Sequence, residues 1–318
     1  MKQKHLVSLK DYTRAEIEEI FDLARRVKAD PGAYSQALRG KSLGMIFQKP
    51  STRTRVSFEV GMFQLGGHAL NLGADEIQLH RGETVADTAR VLSRYVDGIM
   101  ARVFSHEDLV EMTRHATVPV INGLSDLLHP VQALADFFTL LERRGRLEGL
   151  SLAYVGDGNN MCQALMIGAV KLGIAMRVGA PGGYEPNQLI VKSAAREAQK
   201  LKAPPPLVTA DPMEAVQGAD AVYTDVWTSM GQEAEAEARK QAFQGYTVTP
   251  ELMAAAAPDA VFMHCLPAHR GEEVAAEVID GPQSVVLEQV ENRLHVQKAI
   301  LMLLMGDAAP DHPSTLRA

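Results

Sequence analysis

The chain has 318 residues, of which 46% are hydrophobic and 22% charged, and its 32 Lys+Arg against 39 Asp+Glu give a formal net charge of −7. That much apolar surface can fill a core, which excludes disorder as the main state, and at about 100–200 residues per domain the length suits two domains. The acidic balance argues against a nucleic-acid binder, whose affinity rests on a basic face. The two cysteines, Cys162 and Cys265, cannot build a disulfide framework or a four-cysteine zinc site, and a reducing cytoplasm is the expected location. The opening MKQKHLVSLKDYTRAE is too charged for a signal peptide. The longest apolar run near the C-terminus, Ala299–Met305, is far short of the roughly 20 residues of a spanning helix, so no membrane partner is expected.

Apolar periodicity places strands and helices in alternation. Leu43–Phe47 reads as a buried strand. A helix follows from Thr52, with Val56, Val60 and Phe63 spaced to share one face, and His68–Leu72 is the next strand. Thr84 can cap a helix through about Val96. Gly98–Val103 is a strand, His106–His115 a helix, Val118–Ile121 a strand and His129–Arg144 a longer helix. The alternation then restarts. Leu150–Val155 is a strand that turns through GDGNN, residues 156–160, into a helix ending at Leu172, with Gly173 as its C-terminal stop. Ile174–Val178, Leu207–Thr209, Ala221–Thr224 and Ala260–His264 are further strands, and Pro186–Lys202 is a helix. Asp211–Pro212 is an N-cap and first-turn pair, and Thr249–Pro250 starts a short helix. A last amphipathic helix covers Glu288–Leu304, bounded by Gly306. The result is an α/β chain of two similar doubly wound parallel sheets covered by helices on both faces. They meet at the polar, glycine-punctuated RRGRLEGL of residues 143–150. In such sheets ligands bind at the carboxyl ends of strands.

The chemistry-bearing segments follow strands. KPSTRTR, residues 49–55, leaves the first strand and opens a helix, where unpaired N–H groups and a partial positive charge attract anions. The hydroxyls of Ser51, Thr52 and Thr54 and the guanidiniums of Arg53 and Arg55 add charge-assisted donors for phosphate. There is no GxxxxGK[ST], so a nucleoside triphosphate is not indicated. GDGNNM carries two glycines of the dinucleotide fingerprint but Met161 in place of the third, and Asn159 and Asn160 suit a carboxylate or an amino group. HPVQALAD, residues 129–136, puts His129 and Gln132 on one helix face, where they could grip a small planar polar group. In TDVWTSMGQE, residues 224–233, Asp225 stands at a strand end ready for a cationic ligand. Ser229–Met230–Gly231 reads as a mobile loop, and QEAEAEARKQ as a solvated helical face. HCLPAHRG, residues 264–271, leaves three readings of Cys265 open: a nucleophile served by His264 or His269, an inert thiol, or a thiolate that orients an amine.

STRTRVSFE, HPVQALAD, GDGNNM, DVWTSMG, HCLPAHRG and ENRLHVQKA, in this order over residues 43–305, resemble the aspartate and ornithine carbamoyltransferase family. STRTR and HPxQ mark the whole family, whereas SMG and HCLP point to its ornithine branch. The resemblance implies a carbamoyl phosphate-binding domain of residues 1–145, to which the helix of 288–318 returns, an ornithine-binding domain of 146–287, and an active site in the cleft between them. It implies that Ser51, Thr52, Arg53 and Thr54 bind the phosphate of carbamoyl phosphate, joined by Arg102. His129 and Gln132 then meet the carbamoyl oxygen and amine, and the Leu266 carbonyl and Arg293 contact the same end. Asn160, Asp225, Ser229 and Met230 hold the α-amino and α-carboxylate groups of ornithine, and Cys265 lies near its side-chain amine. Gln78 reaches into a neighbouring subunit, because the family is built on a catalytic homotrimer or multiples of it. Val131 stands where many relatives carry Cys, between the contacting residues, and alters none of these roles.

The implied reaction is direct attack by the δ-amine of ornithine on the carbamoyl carbon, with Arg102, Thr54 and His129 as oxyanion donors and no metal or organic cofactor. The SMG loop is expected to close as a lid on ornithine. The rival readings are a carbamoyltransferase for N-acetylornithine, putrescine or aspartate, a dinucleotide-binding oxidoreductase, and a non-catalytic carbamoyl phosphate carrier.

Overall fold

The computed structural model describes residues 2–73, 77–78, 82–229 and 231–306. In chain order the elements are α1 (Arg14–Ala29), β1 (Ser42–Phe47), α2 (Thr52–Gln64), β2 (His68–Gly73), α3 (Val85–Leu92), β3 (Gly98–Arg102), α4 (His106–His115), β4 (Val120–Leu124) and α5 (Pro130–Arg144). There follow β5 (Ser151–Val155), α6 (Asn160–Leu172), β6 (Ala175–Gly179), α7 (Gln188–Leu201), β7 (Leu207–Thr209), α8 (Pro212–Val216) and β8 (Ala221–Thr224). The chain ends with α9 (Ala236–Ala242), α10 (Pro250–Ala254), β9 (Val261–His264), α11 (Ala276–Ile279) and α12 (Val286–Met305).

The strands form two all-parallel sheets, ordered β2-β1-β3-β4 and β7-β6-β5-β8-β9. Each order reverses once, between β1 and β3 in the first sheet and between β5 and β8 in the second. Helices leaving the two strands at such a point go to opposite faces, which opens a crevice at the carboxyl ends. Register aligns those ends. Phe47 pairs with Arg102 across the first switch point, while Val155, Thr224 and His264 stand side by side in the second sheet.

The local chemistry explains most boundaries. Thr13 and Glu16 form a capping box at the start of α1. Gly145 and Gly173 take left-handed conformations at φ 70° and 72° and stop α5 and α6. Pro212 and Pro250 occupy first helical turns behind the Asp211 and Thr249 caps. Two expectations shift. The helix capped by Thr84 stops at Leu92 rather than near Val96. The fourth strand begins at Val120, one residue after Pro119, which has no N–H to give a ladder.

The α12 helix packs against α1, α5 and α2 of the first half and touches β9 of the second. Its buried residues, from Val286 through Arg293 to Met305, lie on several sides, so it is an internal strut with a less one-sided apolar surface than the amphipathic helix read from the sequence. The apolar face of α2 also departs from expectation. Val56 is 50% and Phe63 80% exposed, while Phe58 and Met62 fill the core instead.

Candidate active site

The first crevice is built at the end of β1. Ser51 is the N-cap of α2, in an extended conformation, with its Oγ accepting the Thr54 N–H at 3.2 Å. Thr54 is fully buried on the first turn, and its Oγ1 accepts from Arg293 at 2.7 Å, so α12 is tied to the start of α2. Arg102 ends β3 beside Phe47 and is 5% exposed; Arg293 is 3% exposed. Among the described residues no carboxylate pairs with Arg53, Arg102 or Arg293, and the Nε atoms of Arg102 and Arg293 have no partner within the chain. The cost shows in their acidity. Burial, followed by the repulsion of Arg293, pulls Arg102 down to about 10, and burial with the repulsion of Arg53 pulls Arg293 to about 10. Thr52 lies exposed one residue past the cap, and Arg55, also exposed, is paired with Glu59 at 2.9 Å instead of facing the crevice.

The start of α5 closes this crevice. His129 is the N-cap residue, with Pro130 in the first turn. Burial and the adjoining Arg293 and Arg102 hold its imidazole well below the usual histidine range, so it is neutral, and its Nδ1 has no partner among the described residues. Gln132, 1% exposed, gives its Nε2 to Asp136 at 2.8 Å and leaves Oε1 without a partner among the described residues.

The second crevice carries the opposite sign and is already internally bonded. Asp225 follows β8; one oxygen accepts from Asn159 at 2.8 Å, the other from the Cys265 thiol at 3.0 Å. Asn159 caps α6 through Oδ1, which receives Met161 N and Cys162 N. The two neighbouring amides therefore separate: Asn159 orients Asp225, and Asn160 donates to the Ser125 carbonyl of the first half at 2.6 Å. The Ser229 N–H donates to Gln232; Met230 lies outside the described residues.

Among the described residues Cys265 has no histidine partner. His264 accepts the Leu266 N–H at Nδ1 (2.8 Å) and faces Glu273 with Nε2 (3.2 Å). Burial, then the Asp225 charge, pushes the thiol well above the ordinary cysteine range, which sets aside both the nucleophile and the thiolate readings. Donor atoms of Asp225, His264 and Cys265 lie within 4.8 Å of one another, yet the thiol is protonated and both imidazole nitrogens are committed. Leu266 adopts a left-handed φ of 59°, a conformation that leucine takes up only when neighbours hold it there. The Leu266 N–H bond to His264 supplies such a hold.

Gln78 is exposed and makes no hydrogen bond to either crevice. One expectation is corrected: the segment read as a solvated face contains Arg239, only 6% exposed. Arg239 bonds Asp157 at 3.1 Å and the Trp227 carbonyl at 2.9 Å, and lies 4.9 Å over the Tyr184 ring. It anchors the base of the loop that carries Ser229. Sequence reading missed Arg239, Asp136, Tyr223 and Gln289. Only Asp136, one helical turn past Gln132, left a signal in its spacing.

A cationic crevice facing a carboxylate-and-amide crevice, each at the switch point of its own doubly wound sheet, is the layout of a two-substrate enzyme with an anionic donor and an aminated acceptor. The family description "Aspartate/ornithine carbamoyltransferase, carbamoyl-P binding domain" matches residues 4–142, and "Aspartate/ornithine carbamoyltransferase, Asp/Orn binding domain" matches 148–304. Ornithine carbamoyltransferase of Symbiobacterium thermophilum is 58% identical over 308 residues, 96% of this chain and 99% of its own. The solved ornithine carbamoyltransferase of Pyrococcus furiosus superposes with a TM-score of 0.91 at 55% identity, covering 95% of this chain and 97% of that one. That of Thermus thermophilus gives 0.87 at 44% identity, covering 96% and 100%. The chain belongs to the aspartate/ornithine carbamoyltransferase family.

Proposed function

We propose that this protein transfers the carbamoyl group of carbamoyl phosphate to the δ-amine of L-ornithine, giving L-citrulline and phosphate in arginine biosynthesis. The observation that carries the reading is the cluster of Arg53, Arg102 and Arg293, unpaired with any described carboxylate at the start of α2. A dianionic phosphate relieves their mutual repulsion and takes the free N–H groups of the helix terminus. Residues 1–145 with the last helix bind this donor; residues 146–287 bind ornithine.

Within the donor site, Ser51, Thr52, Arg53, Thr54 and Arg102 hold the phosphate. Arg102, Thr54 and the neutral His129 meet the carbonyl oxygen, with Arg293 beside them. Gln132 Oε1 and the Leu266 carbonyl accept the two hydrogens of the carbamoyl amine. Across the cleft, Asp225 grips the α-amino group of ornithine, with Asn160, Ser229 and Met230 around the α-carboxylate and Cys265 near the δ-amine. The amine nitrogen bonds the carbonyl carbon, the C–O bond to phosphate breaks, the phosphate leaves with the electron pair and the amine surrenders a proton. Catalysis is positioning plus stabilisation of the oxyanion and the leaving phosphate. Taking about 10.4 for a lysine-like amine, its deprotonation at pH 7 costs about 4–5 kcal/mol. The kcat/KM for ornithine therefore rises with pH between 6 and 9, and a flat profile contradicts attack by a neutral amine.

The assembly proposed is a homotrimer or a multiple of trimers, with Gln78 serving a neighbour's site. The exposed Val56 and Phe63 on α2 support an intersubunit face. Cytoplasmic residence is proposed alongside; among the described residues no helix is long and apolar enough to cross a membrane. The test is to supply carbamoyl phosphate with ornithine, N-acetylornithine, putrescine or aspartate and to read ureido product and phosphate. Product with ornithine alone supports the reading, and product with another amine alone overturns it.

A further inference from the structure

We infer that Asp136 is the positioning residue that orients both acceptors of the carbamoyl amine, Gln132 directly and Leu266 through Gln289 and His264. The inference rests on the donor-site reading above. Asp136 lies on α5, 1% exposed. Three donors converge on its carboxylate: Gln132 Nε2 and Gln289 Nε2 on Oδ1, each at 2.8 Å, and the Tyr223 hydroxyl on Oδ2 at 3.0 Å. An ionised carboxylate accepts and never donates. It therefore fixes the rotation of both amides, with their NH2 ends toward itself and their oxygens away. Burial raises Asp136 to about 6, against the opposing pull of these bonds and of Arg293, so at neutral pH it is still predominantly the acceptor-only form.

The consequences run in two directions. Gln132 Oε1, turned away from Asp136, has no partner among the described residues and lies one helical turn from the neutral His129. A carbonyl so oriented recognises an N–H donor and rejects an oxygen in its place. Gln289 Oε1, turned away likewise, accepts the His264 N–H at 3.0 Å. That pins the end of β9, from which the His264 ring holds the Leu266 N–H and so the left-handed turn at Leu266. One carboxylate thus sets two acceptors for one NH2 group. With Gln132 reversed, its NH2 end would meet the NH2 of the substrate; with Gln289 reversed, its NH2 end would meet the His264 backbone N–H and the end of β9 would lose its anchor. The motif HPVQALAD contains the device, Asp136 standing four residues after Gln132, where the two share a helix face.

The test compares carbamoyl phosphate with acetyl phosphate, in which a methyl replaces the NH2, and with inorganic phosphate, which lacks the whole group. Purified full-length variants are assayed for KM and kcat with carbamoyl phosphate, and for inhibition by the other two anions. In Asp136→Ala the KM for carbamoyl phosphate rises at least tenfold while inhibition constants for acetyl phosphate and phosphate change less than twofold. Asp136→Asn recovers most of the loss: its oxygen still accepts from both amides, and its NH2 meets a Tyr223 hydroxyl that can turn to accept. In Asp136→Asn/Tyr223→Phe that anchor is gone, the asparagine is free to reverse, and selectivity for carbamoyl over acetyl phosphate falls again, beyond the sum of the single changes.

If Asp136→Ala does not fold, this last comparison decides. Unchanged selectivity in Asp136→Ala, additive effects in the double variant, or equal weakening of all three anions overturns the inference. A wild-type protein that does not distinguish carbamoyl from acetyl phosphate overturns the donor-site reading instead, so the two failures are separable.

Discussion

The two crevices solve opposite problems. In the first, Arg53, Arg102 and Arg293 repel one another, and two of them are nearly fully buried. In the second, each acidic group already has a partner: Asp225 has Asn159 and Cys265, and Asp157 has Arg239. The first is left short of negative charge, which the proposed anion would supply; the second is satisfied and would have to exchange bonds to take a ligand. Substitutions should therefore separate stability from activity in the first crevice and couple them in the second.

The largest effect is expected at Arg102. Arg102→Met removes a charge that the proposed donor site aims at the reacting oxygens, and should lower kcat/KM for carbamoyl phosphate by about 10²–10³-fold. It also removes a buried, unpaired cation, so the unliganded protein should melt no lower than wild type, and higher if the side chain packs. A variant that loses activity and stability together breaks the contrast. Asp225→Ala comes next. The kcat/KM for ornithine should fall by about 10²-fold, the scale of a lost charge-assisted bond, with the KM for carbamoyl phosphate nearly unchanged. An equal loss toward both substrates would show that the crevices are not separate.

Arg239 tests the coupling itself. Arg239→Met strands Asp157, which burial raises to about 6 even with the guanidinium beside it. Breaking one side of such a buried pair costs about 3–5 kcal/mol, measured by denaturant unfolding. Because Arg239 also holds the Trp227 carbonyl at the base of the Ser229 loop, the KM for ornithine should rise several-fold, less than in Asp225→Ala. An unchanged KM in a destabilised protein would confine Arg239 to a structural role.

The same contrast governs what could be read without coordinates. The cationic crevice is written almost contiguously: a strand, a Ser cap, then hydroxyls and guanidiniums on the first turn of α2. Its logic is local, and local rules of capping and helix termini reach it. Two of the three partners of Asp136 are not local, since Tyr223 is 87 residues away and Gln289 153. No periodicity links these positions; the packing of α12 on α5 brings in Gln289, and Tyr223 comes from β8 of the second sheet. The exposed Val56 and Phe63 mark another limit. Helical spacing identifies a shared apolar face but not what covers it, and among the described residues Val56 and Phe63 stay exposed. Arg239 was misread because a window rich in Glu and Ala averages to a solvated face. A single buried cation cannot shift that average, although its pairing is among the most consequential in the second half.

The smallest effect is expected at Cys265, where the sequence left three readings and the geometry leaves one. The thiol donates to Asp225 at 3.0 Å, and burial beside that carboxylate raises its pKa well above the ordinary range. The sign is that of an acid whose charged form is disfavoured, so the neutral thiol persists through and beyond neutral pH. Alkylation by iodoacetamide should be slow at pH 7–8 and accelerate only at pH values above those needed by a free cysteine. Cys265→Ser keeps an O–H donor for Asp225 and should cost less than about tenfold in kcat/KM, whereas Cys265→Ala leaves one carboxylate oxygen short of a bond and should cost more. If Ser is as damaging as Ala, sulfur itself takes part. If alkylation is already fast at pH 7, the thiolate is present and the second crevice is not the internally satisfied site described above.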